Sequence, residues 1–227
     1  MSLSGNKARC LMAVALIVAI LISDQVVKIW VKTNMTLHQT IPIFSWFQIV
    51  FIENNGMAYG LELGSKLVLS FLRLILIAVI SIYMVRKIRD GSPITFILCL
   101  AMIVAGAAGN VIDGMFYGLI FSQSTPIHVA HLVPFGHGYE EFMKGRVVDM
   151  LYFPIISFTF PSWFPMLSGK EFLFFRPVFN IADASITSGV FLLLLFFRKN
   201  IAESTLDISL FRLKKRSAGE GHDDEKT

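Results

Sequence analysis

The chain has 227 residues, of which 55% are hydrophobic and 16% charged, and its formal net charge is +4. Soluble domains carry about 25% charged residues, whereas this chain has a mean hydropathy of +0.66 and concentrates its apolar residues in a few long runs. These values indicate an integral membrane protein and argue against nucleic-acid binding, because the basic residues lie at the ends of apolar runs and in the C-terminal tail.

Four apolar segments are long enough to cross a bilayer as helices, which takes about 20 residues. They cover about residues 9–31, 67–85, 94–112 and 181–197. No signal-peptide cleavage pattern follows the first segment, so we expect it to be kept as a helix. The predicted fold class is therefore an α-helical integral membrane protein with four transmembrane helices.

The connections at residues 32–66 and 113–180 are predicted to form a small β-sheet outside the membrane. The stretch at residues 44–60 is rich in β-forming residues and contains an Asn-Gly turn signal, and the stretch at residues 145–158 also reads as extended. Residues 1–200 are then one membrane domain. Residues 201–227 form a basic and then polar tail, which we expect to be partly disordered.

The positions of lysine and arginine predict the topology. Basic residues cluster before the first span, between the second and third spans, and after the fourth span. With four spans, these three clusters lie on one side, which is predicted to be the cytoplasm together with both termini. Residues 32–66 and 113–180 then face outward.

With this topology, the polar residues of the spans share one depth near the outer leaflet. Asp24 lies near the outer end of the first span, Asn110 and Asp113 lie at the outer end of the third, and Asn180 and Asp183 lie at the start of the fourth. Ionisable residues in a membrane are costly and mark functional sites. The shared depth therefore predicts one site, which Asp149 joins from an otherwise apolar outer segment.

Structural and catalytic interpretations of these carboxylates are both open. Asp24 and Lys28 are four residues apart and can pair on one helix face, whereas Asp149 and Asp183 have no basic residue one helical turn away. Two carboxylates brought together near lipid leave one of them protonated at neutral pH, which is the condition for an aspartic-protease dyad. The same pair can serve as a proton or cation relay in a transporter, and spacing alone does not decide.

Five motifs in chain order add a family resemblance. They are SDQVVK (23–28), NNGMAYG (54–60), AGAAGNVID (105–113), GRVVDM (145–150) and FNIADASI (179–186). With them the chain closely resembles the bacterial lipoprotein signal peptidases, or signal peptidase II, over about residues 10–200. The resemblance implies an aspartyl endopeptidase of the bacterial inner membrane. Such an enzyme removes signal peptides from diacylglyceryl-modified prolipoproteins by cutting before the lipidated cysteine.

The resemblance also assigns roles to residues. Asp149 and Asp183 match the two catalytic aspartates, and Asp24 with Lys28 matches structural polar positions. The residues expected to bind substrate or support the dyad are Asn54, Gly56, Asn110, Asp113, Asn180, Ala182, Arg146 and Arg73. The resemblance implies no metal and no nucleotide cofactor. It implies prolipoprotein substrates and membrane lipids as partners. We expect a monomer without nucleic acid, although the sequence itself does not determine the oligomeric state.

The chain departs from the family pattern at two places. The family has Asp-Arg in the third motif, whereas here Asp113 is followed by Gly114. Arg73 or Arg146 can replace the missing guanidinium, and Arg73 can instead extend outward to the interface. The outer segments 118–144 and 159–176 are longer than the family minimum, which is consistent with a lid or a partner surface.

Two other functions were weighed from the sequence. A cluster of His128, His131, His137, Glu140 and Glu141 can in principle ligate zinc, but the His-Glu-x-x-His spacing of metalloproteases is absent, which favours a solvated loop. A proton-coupled transporter or an assembly factor can use the same carboxylates. A transporter predicts broken helices in symmetric halves and polar residues at mid-membrane, and the sequence shows neither of these signs.

Overall fold

The computed structural model describes residues 3–54, 66–155 and 177–198, with a few positions between 157 and 173. Gly56 with its predicted turn, most of segment 159–176, and the tail 201–227 lie outside the described residues. The helices are α1 (Leu3–Asn34), α2 (Lys66–Arg89), α3 (Ile94–Ile112), the short α4 (Gly118–Ile120) and α5 (Ile181–Phe196). The strands are β1 (Thr40–Phe44), β2 (Phe47–Asn54), β3 (Val147–Tyr152), β4 (Ser157–Thr159) and β5 (Glu171–Leu173).

All four predicted apolar segments are helical, and α3 has the predicted bounds. Within the described residues, Gly5–Asn34 and Ile94–Ile120 are long and apolar enough to cross a membrane, and Ile181–Phe196 is a shorter apolar helix. Large apolar side chains such as Val18, Leu72 and Leu194 are exposed along α1, α2 and α5. Soluble proteins rarely expose so much continuous apolar surface, so the fold is that of a membrane protein with a small sheet.

A tight turn explains why α2 and α3 are neighbours. The Gly91 N–H donates to Ile88 O at 3.1 Å and the Ser92 N–H to Lys87 O at 3.0 Å, which is the Schellman arrangement that ends a helix. Gly91 has a φ of 73°, which glycine adopts without steric cost. Pro93 then presets the chain to start α3.

Small residues let α5 pack closely against α3. A Cβ atom added at Gly106 would lie 2.2 Å from Ala182 O, and one added at Gly189 would lie 2.8 Å from Cys99 O. Helices in membranes associate through such small-residue contacts, because lipid supplies no hydrophobic driving force between them. The contact brings the first turn of α5 beside the last turns of α3.

The predicted small sheet is confirmed for β1, β2 and β3, which pair antiparallel in that order. The register places Ile52 opposite Asp149 and Asn54 opposite Val147. Beyond β3, an isolated bridge joins Leu151 to Phe179, immediately before α5. Strands β4 and β5 form a separate two-stranded pair.

Two apolar clusters hold these layers together, and α1 passes through both. One lies between the helices and includes Ala13, Leu100 and Leu193. The other includes Val31 and joins the C-terminal end of α1 to the sheet and to a π-helical stretch, Asp113–Tyr117, that continues α3. Asp24 and Lys28 of α1 therefore lie at the junction of the helix bundle and the sheet; the remaining members of the second cluster are Met35, Phe51, Tyr117, Phe121, Val148 and Met150.

The close packing of α3 and α5 can be tested with Gly106→Ala. Alanine normally stabilises a helix interior over glycine by about 1 kcal/mol, but here the new methyl group overlaps the Ala182 carbonyl oxygen, and overpacking costs about 1–3 kcal/mol. We expect a lower unfolding temperature in detergent. Gly114→Ala is the control, because its Cβ would approach only Ser70 Oγ, at 4.0 Å; equal unfolding temperatures for the two variants would contradict the packing.

Candidate active site

The site begins with the first turn of α5, whose free N–H groups are bound by side chains. Asn180 precedes the helix, and its Oδ1 accepts a hydrogen bond from the Asp183 N–H at 2.8 Å. Asp24 Oδ1, from α1, accepts from the Ala182 N–H at 2.9 Å. Polar side chains at this position satisfy donors that a helix start leaves open. As a result, the start of α5 is fixed to α1 and the Asp183 side chain is set on its first turn.

Asn180 also connects the two predicted catalytic aspartates. Its Nδ2 donates to Asp149 Oδ1 at 2.7 Å, while its Oδ1 holds the backbone of Asp183. On the other side, Asn110 Nδ2 donates to Asp183 Oδ1 at 2.7 Å. Asn180 thus joins Asp149 to Asp183, although Asp149 lies 31 positions before Asn180 along the chain. The structure places Asp149 and Asp183 in a single site.

Lys28 lies under this pair at the meeting point of α1 and α3. Its Nζ is 2.8 Å from Asp24 Oδ2, 2.8 Å from Asp113 Oδ2 and 3.0 Å from Asn110 Oδ1. The Asp24–Lys28 pair expected from the four-residue spacing is therefore present, with both side chains fully buried. The lysine also orients Asn110, because an amide whose oxygen faces an ammonium presents its NH₂ group to Asp183.

Gln25 is a site residue that the sequence reasoning missed. Its Nε2 donates to Asp113 Oδ1 at 2.8 Å, and its Oε1 accepts from Tyr117 Oη at 3.1 Å. Asp113 Oδ2 also lies 3.4 Å from the Val148 N–H of β3. Asp113 therefore joins α1 to the strand that carries Asp149. Gln25 lies inside the SDQVVK motif, but its spacing from the other polar residues did not indicate a contact with α3.

The environment of Asp149 sets its protonation. Its side chain is buried, with a residue exposure of 4%. Burial raises the pKa of Asp149 to about 7, and the nearby negative charge of Asp183 acts in the same direction. Hydrogen bonds from Asn54 and Asn180 and the charge of Lys28 oppose this rise. Near neutral pH Asp149 is therefore present in both its protonated and its ionised form, and these are the two forms that acid–base chemistry on water uses.

Arg73 lies near the carboxylates, and Arg146 does not fill the place of the missing family arginine. The Arg73 charge interacts with the charges of Asp183, Asp113 and Asp149. A Cβ at Gly114 would point at Ser70 Oγ, and Ser70 lies one helical turn from Arg73 on α2. Of the two arginines expected as replacements, Arg146 is directed elsewhere, because its guanidinium binds Glu53 Oε2 at 3.2 Å.

Three predicted site residues remain: Asn54, Ala182 and Gly56. Asn54, at the end of β2, reaches the dyad through its hydrogen bond to Asp149. Ala182 is fully buried, where its Cβ faces Gly109 and its N–H binds Asp24, so it supports the site by packing and does not face open space. Gly56 lies outside the described residues.

A buried ionic cluster behind β2 was also missed. Lys32 Nζ pairs with Glu53 Oε1 and lies 3.0 Å from Ser124 Oγ. Lys32 continues the four-residue spacing of Asp24 and Lys28 along α1, so it lies on the same helix face as these two residues. This spacing was the one sequence feature that could have predicted its burial. Its partners Glu53 and Ser124 come from strand and loop positions that no local pattern connects to it.

The histidine-rich stretch does not form a metal cluster in the described part of the chain. His128, His131 and His137 are exposed, and His131 Nδ1 lies 3.1 Å from Ser122 Oγ. Within the described residues, no group of three or more His, Cys, Asp or Glu side chains is placed to hold a metal ion.

Comparison with known proteins gives the family. The family profile for signal peptidase (SPase) II matches residues 16–199. The chain is 50% identical over 190 residues to a lipoprotein signal peptidase of Porphyromonas gingivalis, covering 83% of each chain. It is 36% identical over 187 residues to one of Amoebophilus asiaticus, covering 79% of this chain and 75% of that one.

A solved structure supports the fold. A bacterial membrane enzyme determined by the in meso method at 1.9 Å shares it with a TM-score of 0.56 and 24% identity, over 83% of this chain and 93% of that chain. The family profile covers most of the 227 residues. Each of the five motifs contributes at least one described polar residue to the site, namely Gln25, Asn54, Asn110, Asp149 and Asn180. The chain therefore belongs to the signal peptidase II family of membrane proteases.

Proposed function

We propose that Asp149 and Asp183 are the catalytic dyad with which this signal peptidase II cleaves the signal peptide from prolipoproteins. The observation that carries the proposal is the bridge through Asn180, which donates to Asp149 at 2.7 Å and holds the Asp183 N–H at 2.8 Å. A raised pKa of about 7 for Asp149 supports a shared proton. The transporter and assembly-factor alternatives are not favoured, because the family is one of proteases.

The chemistry follows the general scheme for a carboxyl pair. Asp149 holds the shared proton and donates a hydrogen bond to the scissile carbonyl oxygen, while Asp183, as carboxylate, takes a proton from the attacking water. The tetrahedral intermediate then breaks its C–N bond, and the leaving nitrogen receives a proton from Asp183. The products are the signal peptide with a new carboxylate and the lipoprotein with a free amine on its lipidated cysteine.

The fixed asparagines are suited to orienting this pair. Asn110 is held by Lys28 at 3.0 Å and donates to Asp183, and Asn180 donates to Asp149. Their hydrogen bonds favour carboxylate oxygens pointing into the site, which lowers the reorganisation needed when the proton moves. Asn54, from the sheet, completes the set on Asp149.

We further propose that Arg73 of α2 supplies the positive charge that the family places after the third-motif aspartate. Its charge interacts with the charges of three acidic residues, Asp113, Asp149 and Asp183. Gly114 faces α2, because a Cβ atom added there would lie 4.0 Å from Ser70 Oγ. A cation there limits the repulsion between the two dyad carboxyl groups. It also offers a donor to a substrate carbonyl.

The proposed topology has α1, α2, α3 and α5 crossing a bacterial inner membrane, with both termini cytoplasmic and the dyad toward the outer leaflet. Helices occupy all four predicted positions, and the polar residues gather at the sheet end of the bundle. Basic residues lie at the opposite end, where α2 finishes with Arg86, Lys87 and Arg89. In this topology a monomer receives a diacylglyceryl prolipoprotein from the bilayer, with its lipid remaining among the lipids of the membrane.

The dyad is tested by Asp149→Asn and Asp183→Asn in purified protein with a diacylglyceryl prolipoprotein as substrate. Each change removes a carboxyl group that transfers a proton, so we expect kcat/KM to fall by at least about 10²-fold, with an unfolding temperature close to that of the wild type. The matched control is Asp90→Asn, at an exposed position in the turn after α2. Cleavage at wild-type rates by both dyad variants would reject the assignment.

The raised pKa of Asp149 makes a second prediction. Above a pH of about 7 the shared proton leaves the pair, since the pKa of Asp149 is raised to about 7. We therefore expect kcat/KM to decline on the alkaline side of neutrality, with an apparent pKa that belongs to the pair. The measurement is a pH–rate profile in detergent; a rate that stays constant through pH 9 would contradict a protonated Asp149.

A further inference from the structure

Five aromatic rings form a continuous row at one end of the three-stranded sheet. We call Phe44, Trp46, Phe47, Phe153 and Phe179 the aromatic row. Neighbouring ring centroids are 5.4 Å apart for Phe44 and Trp46, 6.1 Å for Trp46 and Phe47, 4.9 Å for Phe47 and Phe153 and 5.7 Å for Phe153 and Phe179. The row starts next to Asn180 of the active site and ends at the turn of the β1–β2 hairpin.

The direction of β3 shows where this row extends. Near its start, the Val148 N–H faces Asp113 at the end of α3; farther along, Leu151 exchanges hydrogen bonds with Phe179 at the start of α5. The end of α3 and the start of α5 lie at one depth, because Asn110 and Asp183 are hydrogen bonded across them. The strand therefore runs across the helix ends, which in the proposed topology is along the membrane surface, and the hairpin tip continues past α5.

The hairpin tip is apolar and exposed. Phe44 is 56% exposed and Trp46 54% exposed, and Ile43 beside them is also exposed. Residues 40–52 contain no charged side chain, although exposed edge strands in water usually carry charges against aggregation. The exposed rings of Phe44 and Trp46 stack on each other and continue into the half-buried rings of Phe47, Phe153 and Phe179.

We propose that the tip of the β1–β2 hairpin is inserted into the outer interface of the bilayer beside α5 and anchors the sheet at a fixed depth. Tryptophan and phenylalanine prefer the headgroup boundary of a membrane. The surface is continuous, through the aromatic row, with the start of a helix whose residues Phe191, Leu194 and Leu195 are exposed apolar positions. The consequence is that Asp149, on the same sheet, keeps a constant height relative to the lipid.

The test uses the fluorescence of Trp46 in the full chain. The chain has 3 tryptophans, so Trp30→Phe with Trp163→Phe leaves Trp46 as the single emitter, in protein reconstituted without substrate into phosphatidylcholine vesicles. We expect a larger loss of emission with lipids brominated near the glycerol than with lipids brominated near the chain end, and little loss with aqueous iodide. A Trp30-only variant, whose tryptophan lies on the exposed face of α1, is the lipid-facing control.

Stronger quenching of Trp46 by lipid brominated near the glycerol than by iodide supports insertion of the hairpin tip. If iodide quenches Trp46 as much as brominated lipid does, the tip faces water and the proposal fails. Where the single-tryptophan chain does not fold, wild type is compared with Trp46→Phe. The wild-type minus variant difference, which is the emission of Trp46, should be quenched by lipid brominated near the glycerol and not by iodide, while the emission of Trp30 remains in both proteins. The outcome does not depend on catalysis, so it is separate from the fate of the proposed dyad.

A second inference concerns the ionic cluster behind β2. Glu53 is held by Lys32 on one oxygen and by Arg146 on the other, at 3.2 Å, and Ser124 Oγ donates to it at 2.8 Å. Lys32 and Glu53 are almost completely buried, whereas Arg146 is partly exposed. Lys32 also lies over the Tyr139 ring, 4.8 Å from its centroid. Three elements far apart in the chain therefore meet on one carboxylate.

Glu53 is adjacent to the site without entering it. Side chains alternate along a strand, so Glu53 points away from the face where Asn54 reaches Asp149. Across the ladder, Glu53 pairs with Val148 and Asn54 with Val147, which fixes both asparagine and aspartate on the same short stretch of sheet. Movement of Glu53 would therefore move Asn54 relative to Asp149.

We infer that Glu53 is a positioning residue that, through its contacts with Lys32 and Arg146, keeps the Asn54 amide on the Asp149 carboxyl group. This inference rests on the proposed dyad. The Asn54 hydrogen bond favours ionised Asp149 and lowers its pKa, so losing that bond should shift the titration of the pair to higher pH. The charged groups that also face the pair are Asp183 of the dyad itself, Lys28 of α1 and Arg73 of α2.

The experiment compares pH–rate profiles of Glu53→Gln, Asn54→Ala and the double variant. We expect the alkaline limb to move to higher pH in each single variant, and the double variant to shift no further than Asn54→Ala, since residues acting through one contact are not additive. Glu141→Gln is the matched control, because Glu141 pairs with Lys144 on the exposed surface and should leave the profile unchanged.

The outcomes distinguish this inference from the proposed function. A wild-type enzyme without cleavage would reject the function, whereas normal cleavage with an unshifted or additive Glu53→Gln profile would reject only the role of Glu53. Should Glu53→Gln fail to fold, Arg146→Met removes the half-exposed partner instead. The same upward shift is then expected, and its absence overturns the inference.

Discussion

The arrangement of the whole site depends on one buried ammonium group. Lys28 Nζ contacts a carboxylate from its own helix, Asp24, and another from α3, Asp113, at 2.8 Å each. An isolated charge in this environment costs several kcal/mol, so the lysine is stable only while both carboxylates stay in place. Because Asp24 also binds the first turn of α5, this constraint fixes three helices relative to each other.

The position of the dyad follows from that constraint through two asparagines. Asn110 accepts a hydrogen bond from Lys28 and donates one to Asp183, so Lys28 orients the amide that binds Asp183. Asn180, at the start of α5, donates to Asp149. The same burial that makes the ionic contacts strong also withholds water from Asp149 and raises its pKa. The ionic contacts and the proposed acid–base function of Asp149 therefore depend on the same low-dielectric environment. The π-helical stretch after α3 begins with Asp113, whose carboxylate faces the Val148 N–H of the sheet.

Features that depend on neighbours in the sequence were predictable. The four helices follow from apolar runs of sufficient length. α3 begins at the predicted residue because Pro93 precedes it, and beyond Ile112 the helix changes to the π-helical form. The Asp24–Lys28 pair follows from four-residue spacing on a helix. The motif resemblance predicted Asp149 and Asp183 as the catalytic pair, and that role stays a proposal, although no spacing rule connects two residues on different elements.

Contacts between distant elements were not predictable. The partner of Arg146 is Glu53, 93 residues away, and this pair depends on the register of β2 against β3, which a shift of one residue would reverse. Gln25, Lys32 and Ser124 likewise acquire partners only when α1 meets α3 and the outer segment. Amino-acid order by itself determined the membrane class, the helices and the acidic residues, because hydropathy and helical spacing are local properties. Only the tertiary structure decided which charges meet, because burial makes each charge select its partner among groups brought together from the entire chain.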